Sequence, residues 1–398
     1  MSHLTRTLAS ILIPLVGFAS TTINVGAPQL IPHSTPLNST TAVAKSSSEY
    51  LSIWVDTMEA IMQSPSIDGV SWMLNTISAI TTTALFNPSI CSGPSGFVVS
   101  WFNSSFIGGA NFPAVSFSTD GVLWRLPQTL TNITDLGVGS YVSAAANNAG
   151  FLAAFTVSIG ATNPNHSYSS FSADGLSWSP YSQVDNSSGA IPSYTTSVSG
   201  YGTTFISGWA DNSHNAFASL SNTSPYISWT AHQLTTNNTA YSEVTVSATN
   251  QGFMAAWVDL AGNGYYSFST TGTSWSAPQQ FATGINASIG AAIALGEASG
   301  GYIAAWQDSS NNGQVSAFNV ADRTWSTPVQ FATNLSTAFN GPLVGIASSG
   351  GNPIVLTWTS GTDPYSCLLT LTSSATTSTR SYTRPANRRG GFTPSNPG

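Results

Sequence analysis

The stretches FSTDGVLW (Phe117–Trp124) and FSADGLSW (Phe171–Trp178) repeat one pattern, 54 residues apart. Asp-Gly flanked by apolar residues is the strongest short-range signal of a β-hairpin. An aspartate at this position can serve a substrate or the turn itself, so the number of copies matters. Further copies end at Trp72, Trp229, Trp275 and Trp325, and the copy that ends at Trp72 matches the pattern best. Because the six tryptophans are 46 to 54 residues apart, the pattern indicates a repeated structural unit.

A second landmark of the repeat is a run of apolar residues that usually contains a tryptophan. Seven copies occur, at residues 51–56, 97–103, 151–157, 204–211, 253–259, 302–308 and 353–360. In the copy FMAAWVD both sets of alternating residues are apolar, which is typical of a strand in a sheet that is buried on both faces. The two sets predicted to face opposite neighbours are Phe253, Ala255 and Trp257, and Met254, Ala256 and Val258.

Each repeat is predicted to contain four short strands, which we call A, B, C and D in chain order. Strand A consists of small residues, as in TVSAT (245–249), and strand B is the apolar run. Strand C precedes the Asp-Gly pair, as in YYSFS (265–269), and strand D carries the hairpin tryptophan. Short strands with frequent turn signals and a period of about 50 residues are typical of a β-propeller, whose blades are four-stranded sheets.

Seven copies of strand B against six tryptophan hairpins leave one strand D to be found. The Ala-Pro-Gln of residues 27–29 aligns with that of residues 277–279, so residues 22–30 are predicted to be the seventh strand D, moved to the front of the chain. We therefore predict an all-β fold, a seven-bladed β-propeller of four-stranded antiparallel blades. The N-terminal strand would close the last blade by pairing near residues 366–371. Six or eight blades, a β-helix and stacked sandwiches remain alternatives at this point.

The two ends of the chain differ in composition from the repeats. Residues 1–19 contain Arg6 followed by an apolar run and small residues, which is typical of a signal peptide, although a buried first strand or a retained anchor would also fit. No apolar run approaches the roughly 20 residues that span a bilayer. We predict a propeller over residues 20–371, a disordered polar and basic tail over 372–398, and a secreted or cell-surface protein.

The composition excludes some classes of partner and cofactor. Charged residues make up 6% of the 398 residues, the formal net charge is −7, and residues 20–371 contain only Lys45, Arg125 and Arg323 as cations. A nucleic-acid-binding surface is therefore not expected. Cys91 and Cys367 fall in different predicted blades and should not form a disulfide. No tight ligand spacing occurs around the histidines, so we predict no metal and no cofactor.

The pattern Ser-x-Asp-Gly-x-x-Trp resembles the Asp-box, or bacterial neuraminidase repeat, of sialidase-like β-propellers. Its clean copies consist of Ser66, Asp68, Gly69 and Trp72; Ser118, Asp120, Gly121 and Trp124; and Ser172, Asp174, Gly175 and Trp178. The resemblance implies that each box forms the C–D turn on the face opposite the active site, with the aspartate bonding the backbone and the tryptophan packing beneath. The spacing here is one residue shorter than usual, which predicts a tighter, two-residue hairpin.

Sialidase activity is not expected to accompany this resemblance. Sialidases resemble one another in three arginines that clamp the substrate carboxylate, together with a Tyr/Glu pair and an Asp acid. A bidentate clamp needs guanidinium groups. Arg125 and Arg323 flank hairpin tryptophans and should therefore lie on the opposite face. A divergent glycoside hydrolase that uses carboxylates remains an alternative, but no spacing selects a pair among Glu49, Glu59, Glu243 and Glu297.

Strand B is repeatedly followed by a polar residue two positions after its tryptophan. These residues are Asp56, Asn103, Asp211, Asp259 and Asp308. They are predicted to surround one face of the propeller, and carboxylate or amide groups beside aromatic rings suit hydroxyl-rich ligands. The competing interpretation is that each aspartate caps the turn that follows strand B. We predict a secreted, non-catalytic propeller that binds glycans or a protein partner through this face; the alternatives are a divergent glycoside hydrolase and a structural surface protein.

Overall fold

The computed structural model describes residues 21–73, 88–104, 111–130, 142–158, 165–185, 192, 196–221, 228–236, 240, 243–287, 292–336, 344–348 and 351–373. All regular structure in these ranges is β. The same ranges contain no helix that is long and apolar enough to cross a membrane. The predicted signal peptide and residues 374–398 of the predicted tail lie outside them.

The described strands form seven antiparallel sheets, which are the blades of the propeller. The A strands are Ala42–Lys45, Ser89–Gly93, Val142–Asn147, Ser197–Tyr201, Thr245–Thr249, Ile293–Ala298 and Val344–Ala347. The B strands are Tyr50–Val55, Gly96–Ser104, Gly150–Ser158, Thr204–Ala210, Gly252–Val258, Gly301–Gln307 and Ile354–Ser360. The C strands are Ile61–Ser66, Asn111–Ser118, Asn165–Ser172, Ala216–Ser221, Gly264–Ser269, Gly313–Asn319 and Asp363–Ser373.

The D strands are shorter and begin after the hairpin tryptophan in most blades. In blades 2 to 6 they are Gln128–Thr129, Ser182–Gln183, Thr230–Gln233, Gln279–Ala282 and, in two pieces, Thr324–Trp325 with Val329–Ala332. The predicted fourth strand of blade 1 lies outside the described residues. The prediction that the tryptophan belongs to strand D is wrong for most blades, because the indole occupies the C–D connection instead.

The A strands form a closed ring around the axis. Each A strand contacts that of the next blade, and Val344–Ala347 of blade 7 contacts Ala42–Lys45 of blade 1. Small residues suit this inner position because the blades converge there. The ring confirms the seven-bladed all-β propeller.

The N-terminal segment closes the ring as predicted. Thr21–Val25 and Gln29–Leu30 pair antiparallel with strand C of blade 7, in a register that places Ile23 opposite Leu371. This strand covers the edge that Asp363–Ser373 would otherwise expose. Regular structure continues to Ser373, two residues past the predicted end of the propeller at residue 371.

The hydrophobic core is divided into seven clusters, each of which lies between two neighbouring blades. Strand B supplies both sides of its sheet. Ala255 and Trp257 pack toward blade 4, whereas Met254, Ala256 and Val258 pack toward blade 6. The predicted two-sided burial of this strand is confirmed. Each blade is therefore stabilised by its neighbours rather than by a core of its own.

Serine hydroxyls connect the inner strands of successive blades. Ser89 Oγ accepts a hydrogen bond from Ala144 N at 3.1 Å, and Ser143 Oγ accepts one from Val198 N at 3.2 Å. The inner edge of a blade would otherwise present unpaired amides to the channel. The hydroxyl of one blade thus satisfies the edge of the next.

The two cysteines are free and buried in separate blades, as predicted. Cys91 lies in strand A of blade 2 and Cys367 in strand C of blade 7. Burial raises the pKa of the Cys91 thiol, and raises that of Cys367 to about 12. Both thiols are therefore protonated and unreactive at neutral pH.

Candidate functional site

The C–D connections with the Asp-Gly pattern are turns held by the aspartate. Asp120 Oδ1 accepts hydrogen bonds from Val122 N and Leu123 N at 2.9 Å each, and Ser118 Oγ donates to the same oxygen. These bonds favour the ionised carboxylate and lower its pKa. The same network is formed around Asp68 and Asp174.

The prediction of a two-residue hairpin at Asp-Gly is wrong. Arg125 N donates to Phe117 O at 2.9 Å, so the backbone pairing resumes only after the seven residues from Ser118 to Trp124. Asp120 supplies the acceptor that a tight turn would take from a backbone carbonyl. The loop is longer than predicted because a side chain organises it.

Three of the hairpin tryptophans, Trp72, Trp124 and Trp229, donate a hydrogen bond to the neighbouring blade. Trp72 Nε1 donates to Ser366 Oγ of blade 7 at 2.7 Å, and Trp124 Nε1 donates to Gln63 Oε1 of blade 1 at 2.8 Å. Trp178 bonds its own turn through Gly175 O. The prediction that this residue packs beneath its own turn omitted the contact with the preceding blade.

The polar residues that follow strand B are placed in B–C turns, on the face that also bears the D–A connections. We call it the loop-bearing face. Asp211 Oδ1 accepts hydrogen bonds from Ser213 N at 2.9 Å and from Asn215 N at 2.8 Å. The same pair of bonds is formed by Asp56, Asp259 and Asp308. Each of these carboxylates therefore caps its own turn.

The predicted site residues lie on five separate blades, so they do not form one pocket. Asp56 and Asp211 are buried, whereas Asp259 and Asp308 are partly exposed. Asn103 pairs with Phe112 near the end of strand B, and the rest of its turn lies outside the described residues. The role of these residues in binding a ligand remains a prediction.

Asparagines complete three of these turns and were missed in the sequence. Nδ2 of Asn215, Asn263 and Asn312 donates to Oδ2 of the aspartate four positions earlier, at 3.0, 2.9 and 3.2 Å. The signal that could have revealed them is the repeated spacing Asp-x-x-x-Asn. The aspartate is consequently bonded through both oxygens.

Outer-strand glutamines lie beside these turns in four successive blades. Gln183, Gln233, Gln280 and Gln330 occupy equivalent register positions opposite strand C, and all four are exposed. Gln280 Nε2 donates to Asn263 Oδ1 at 3.2 Å. Gln280 thus extends the polar surface of its B–C turn outward. Sequence reasoning missed them as well, because their equivalence follows from strand register.

Charge is distributed unevenly between the two faces. The carboxylates placed on the loop-bearing face are Asp56, Glu59, Asp185, Asp211, Glu243, Asp259, Asp308 and Asp363. Lys45, Arg125 and Arg323, which are all the lysines and arginines between residues 21 and 373, lie at A–B or C–D connections on the other face. The predicted position of the two arginines is confirmed. No lysine or arginine of the described residues lies on the loop-bearing face.

Three cavities contain glutamates. The channel along the axis holds Glu243 beside a 250 Å³ cavity near the loop-bearing face and Glu297 beside a 230 Å³ cavity toward the other face. A groove of 1030 Å³ on the Asp-Gly turn face is lined by Lys45, Glu49 and Asp120, among others. Burial and the charge of Asp120 raise the pKa of Glu49. These three glutamates therefore line different cavities, and each described cavity contains one of them.

Within the described ranges, no three histidine, cysteine, aspartate or glutamate side chains come together as a metal site.

Comparisons with known proteins show what the fold resembles. No family model and no curated protein matches this sequence. The BP39L lectin from Burkholderia pseudomallei is similar in structure, with a TM-score of 0.56, 15% identity, and coverage of 83% of this chain and 98% of the lectin. The endosialidase of phage phi92 gives a TM-score of 0.50 and 11% identity over 93% of this chain and 72% of that chain.

A mutant of the Aleuria aurantia lectin in complex with α-methyl-L-fucoside gives a TM-score of 0.48 and 11% identity, covering 77% of this chain and 100% of that chain. At such identities, structural likeness shows the fold alone. Function has to be argued from the residues on the loop-bearing face.

Proposed function

We propose that this protein is secreted and binds glycans, without catalysis, through its loop-bearing face. The observation that carries the proposal is the set of four equivalent, exposed glutamine amides in blades 3 to 6. An amide offers donors and an acceptor within one planar group, which matches the alternating demands of sugar hydroxyls. Repetition over neighbouring blades favours a multivalent ligand. Once one of its sugars is bound, the effective concentration of the others at the neighbouring sites is high, so several weak sites together give a higher affinity.

The charge of the loop-bearing face supports a neutral ligand. Every charged group placed there, histidine aside, is a carboxylate, and the cations of residues 21–373 lie on the other face. An acidic sugar would meet repulsion without a compensating guanidinium or ammonium group. The fold shared with a lectin from Burkholderia pseudomallei supports glycan binding only as an analogy between folds.

A glycan array probed with the full chain tests this proposal. We expect binding to neutral glycans, and about tenfold weaker binding after Gln183, Gln233, Gln280 and Gln330 are all changed to Ala, because each lost hydrogen bond costs about 0.5–1.5 kcal/mol. Gln128→Ala is the matched control, because Gln128 is an exposed outer-strand residue in the adjacent register position. Absence of neutral glycan binding, or equal affinity of the fourfold variant, would overturn the proposal.

Two further measurements address the remaining parts of the proposal. Incubation with aryl glycosides should give no hydrolysis, and turnover that is lost in Glu243→Gln would show a hydrolase instead. Expression in a secreting host should release protein that lacks residues 1–19. Retention of the full N-terminus inside the cell would contradict secretion.

A further inference from the structure

Blade 3 departs from blades 4, 5 and 6 at one place on the loop-bearing face. The strand register puts His166 where blades 4, 5 and 6 have Asn215, Asn263 and Asn312. It also puts Val157 where those blades have the turn-capping aspartate. Because the other blades provide internal copies of the same structure, such a departure is not required by the propeller itself.

The carboxylate of this blade comes from the end of strand D instead. Asp185 Oδ1 accepts a hydrogen bond from Ser167 N at 3.2 Å, and Oδ2 lies 2.8 Å from His166 Nδ1. In blade 4 the equivalent backbone amide, Ala216 N, donates to Thr235 Oγ1 at 3.0 Å. In blade 4 a threonine hydroxyl is therefore enough to bond the backbone amide at this position. The Asp185 carboxylate of blade 3 does the same and also bonds the histidine.

This bond defines which nitrogen of His166 is available. The Asp185 side chain is fully buried, whereas the His166 side chain is 30% exposed. A carboxylate accepts only hydrogen bonds, so the contact places the proton of the neutral imidazole on Nδ1 and leaves Nε2 as an acceptor. Gln183 Nε2 lies 3.2 Å from the same Nδ1, and because both nitrogens carry hydrogen in this tautomer, the contact is not a hydrogen bond.

An exposed aromatic ring completes this surface. Tyr181 is 36% exposed and occupies the outer-strand position where blades 2, 5 and 6 have Pro127, Pro278 and Pro328. Its ring stands edge-on to Tyr168, with centroids 5.2 Å apart and planes at 83°. The His166 ring lies 6.3 Å from that of Tyr168, so Tyr168 lies in contact with both rings along the same face of strands C and D.

Buried hydroxyls join strands B and C of blade 3 to blade 4. Thr156, Ser167 and Thr196 form a closed hydrogen-bonded group, and Thr196 belongs to blade 4. The equivalents of Thr156 and Ser167 in blade 4 are Ala210 and Ala216, which make no side-chain hydrogen bonds. Blade 3 therefore has buried hydroxyls on the side of its sheet that faces blade 4, and blade 4 lacks them at the same positions.

We propose that His166, Tyr181 and Gln183 form a binding site for one neutral pyranose unit of a glycan. Tyr181 covers the C–H face of the sugar, His166 Nε2 accepts a hydrogen bond from a hydroxyl, and the Gln183 amide bonds its neighbour. The site rests on the proposed glycan-binding function and names where the strongest contact lies. Blades 4 to 6 supply the amide alone and bind more weakly.

Variants that restore the residue found in other blades test the site, because those residues already fold at the equivalent positions. Neutral methyl glycosides are titrated by calorimetry into the full chain and into the variants His166→Asn and Tyr181→Ala. Alanine is chosen for the second variant because Ala231 is the blade 4 equivalent of Tyr181. Each variant should bind about tenfold more weakly, since a ring contact or a hydrogen bond contributes up to about 1.5 kcal/mol. Tyr201→Ala is the matched control, because Tyr201 is 43% exposed on the other face.

A second readout reports on the histidine directly. Bound glycoside should slow carbethoxylation of His166 by diethyl pyrocarbonate without protecting His33, which is bonded to Asp363 elsewhere on the same face. If the unmodified chain binds no neutral glycoside, the proposed function fails. If the chain binds but both variants bind equally well and His166 is not protected, the site is wrong and the proposed function stands.

Discussion

Aspartate performs the same task at both faces of the propeller. Asp120 Oδ1 accepts amide hydrogen bonds from the residues two and three positions on, and Asp211 Oδ1 from those two and four positions on. A short, ionised side chain can replace a backbone carbonyl in this way. The aspartates that recur at these turns are thus used by the backbone, which leaves ligand recognition to residues that differ between blades.

Glycine following the aspartate is required by both backbone and packing. Gly175 has φ of +78°, and a Cβ at this position would lie 2.2 Å from Phe117 Cδ2 of the preceding blade. The left-handed conformation alone costs other residues about 1–2 kcal/mol. The turn therefore approaches the neighbouring blade as closely as a residue without a side chain allows.

Gly175→Ala should separate these two effects. We expect it to lower the free energy of unfolding by about 1–3 kcal/mol more than Gly202→Ala, because overpacking adds to the conformational cost. Gly202 has φ of +62°, and its Cβ would meet nothing within 4 Å. Urea denaturation of both variants measures the difference, and equal losses would show that packing at Gly175 is unimportant.

At the level of the strands and turns, stability arises between blades. The core clusters lie between neighbouring sheets, and the C–D turns contribute tryptophans that bond the preceding blade. A four-stranded sheet that is apolar on both faces cannot bury either face by itself. The repeated sequence therefore specifies the contacts between blades as well as the sheet within each blade.

Trp72→Phe tests this contact at the boundary between blades 1 and 7. The substitution removes the donor to Ser366, whose side chain is fully buried, and an orphaned buried hydroxyl costs about 1–3 kcal/mol. Trp178→Phe is the control, since its indole bonds only the carbonyl of Gly175 in its own turn, at 3.3 Å. Urea denaturation should show the larger loss for Trp72→Phe, and the opposite order would contradict a role between blades.

Across the whole molecule, closure of the ring depends on the N-terminal strand. Ile23 is 6% exposed and packs in the cluster between blades 6 and 7. The pairing gives blade 7 its outer strand, so the first and last segments of the chain belong to one blade. Loss of this strand should weaken every blade, because no blade has a separate core.

Ile23→Ala should lower the free energy of unfolding by about 2 kcal/mol while the protein still unfolds in one transition. Asn24→Ala, on the exposed side of the same strand, should change it by less than about 0.5 kcal/mol. Denaturation followed by tryptophan fluorescence and by circular dichroism measures both. An early, separate transition in Ile23→Ala would show that blade 7 opens independently of the ring.

The amino-acid sequence by itself determined the number of blades, the two-sided burial of strand B and the N-terminal closure. Each of these follows from a local pattern that is counted along the chain, because repeats of one unit must bury the same faces in the same way. The length of the Asp-Gly loop was decided by hydrogen bonds within the turn itself. The blade that Trp72 contacts was decided by a hydrogen bond to a residue 294 positions later in the chain. The proposed site around His166 also depended on tertiary structure, since only strand register brings His166, Tyr181 and Asp185 to one place and shows which residues of the other blades they replace.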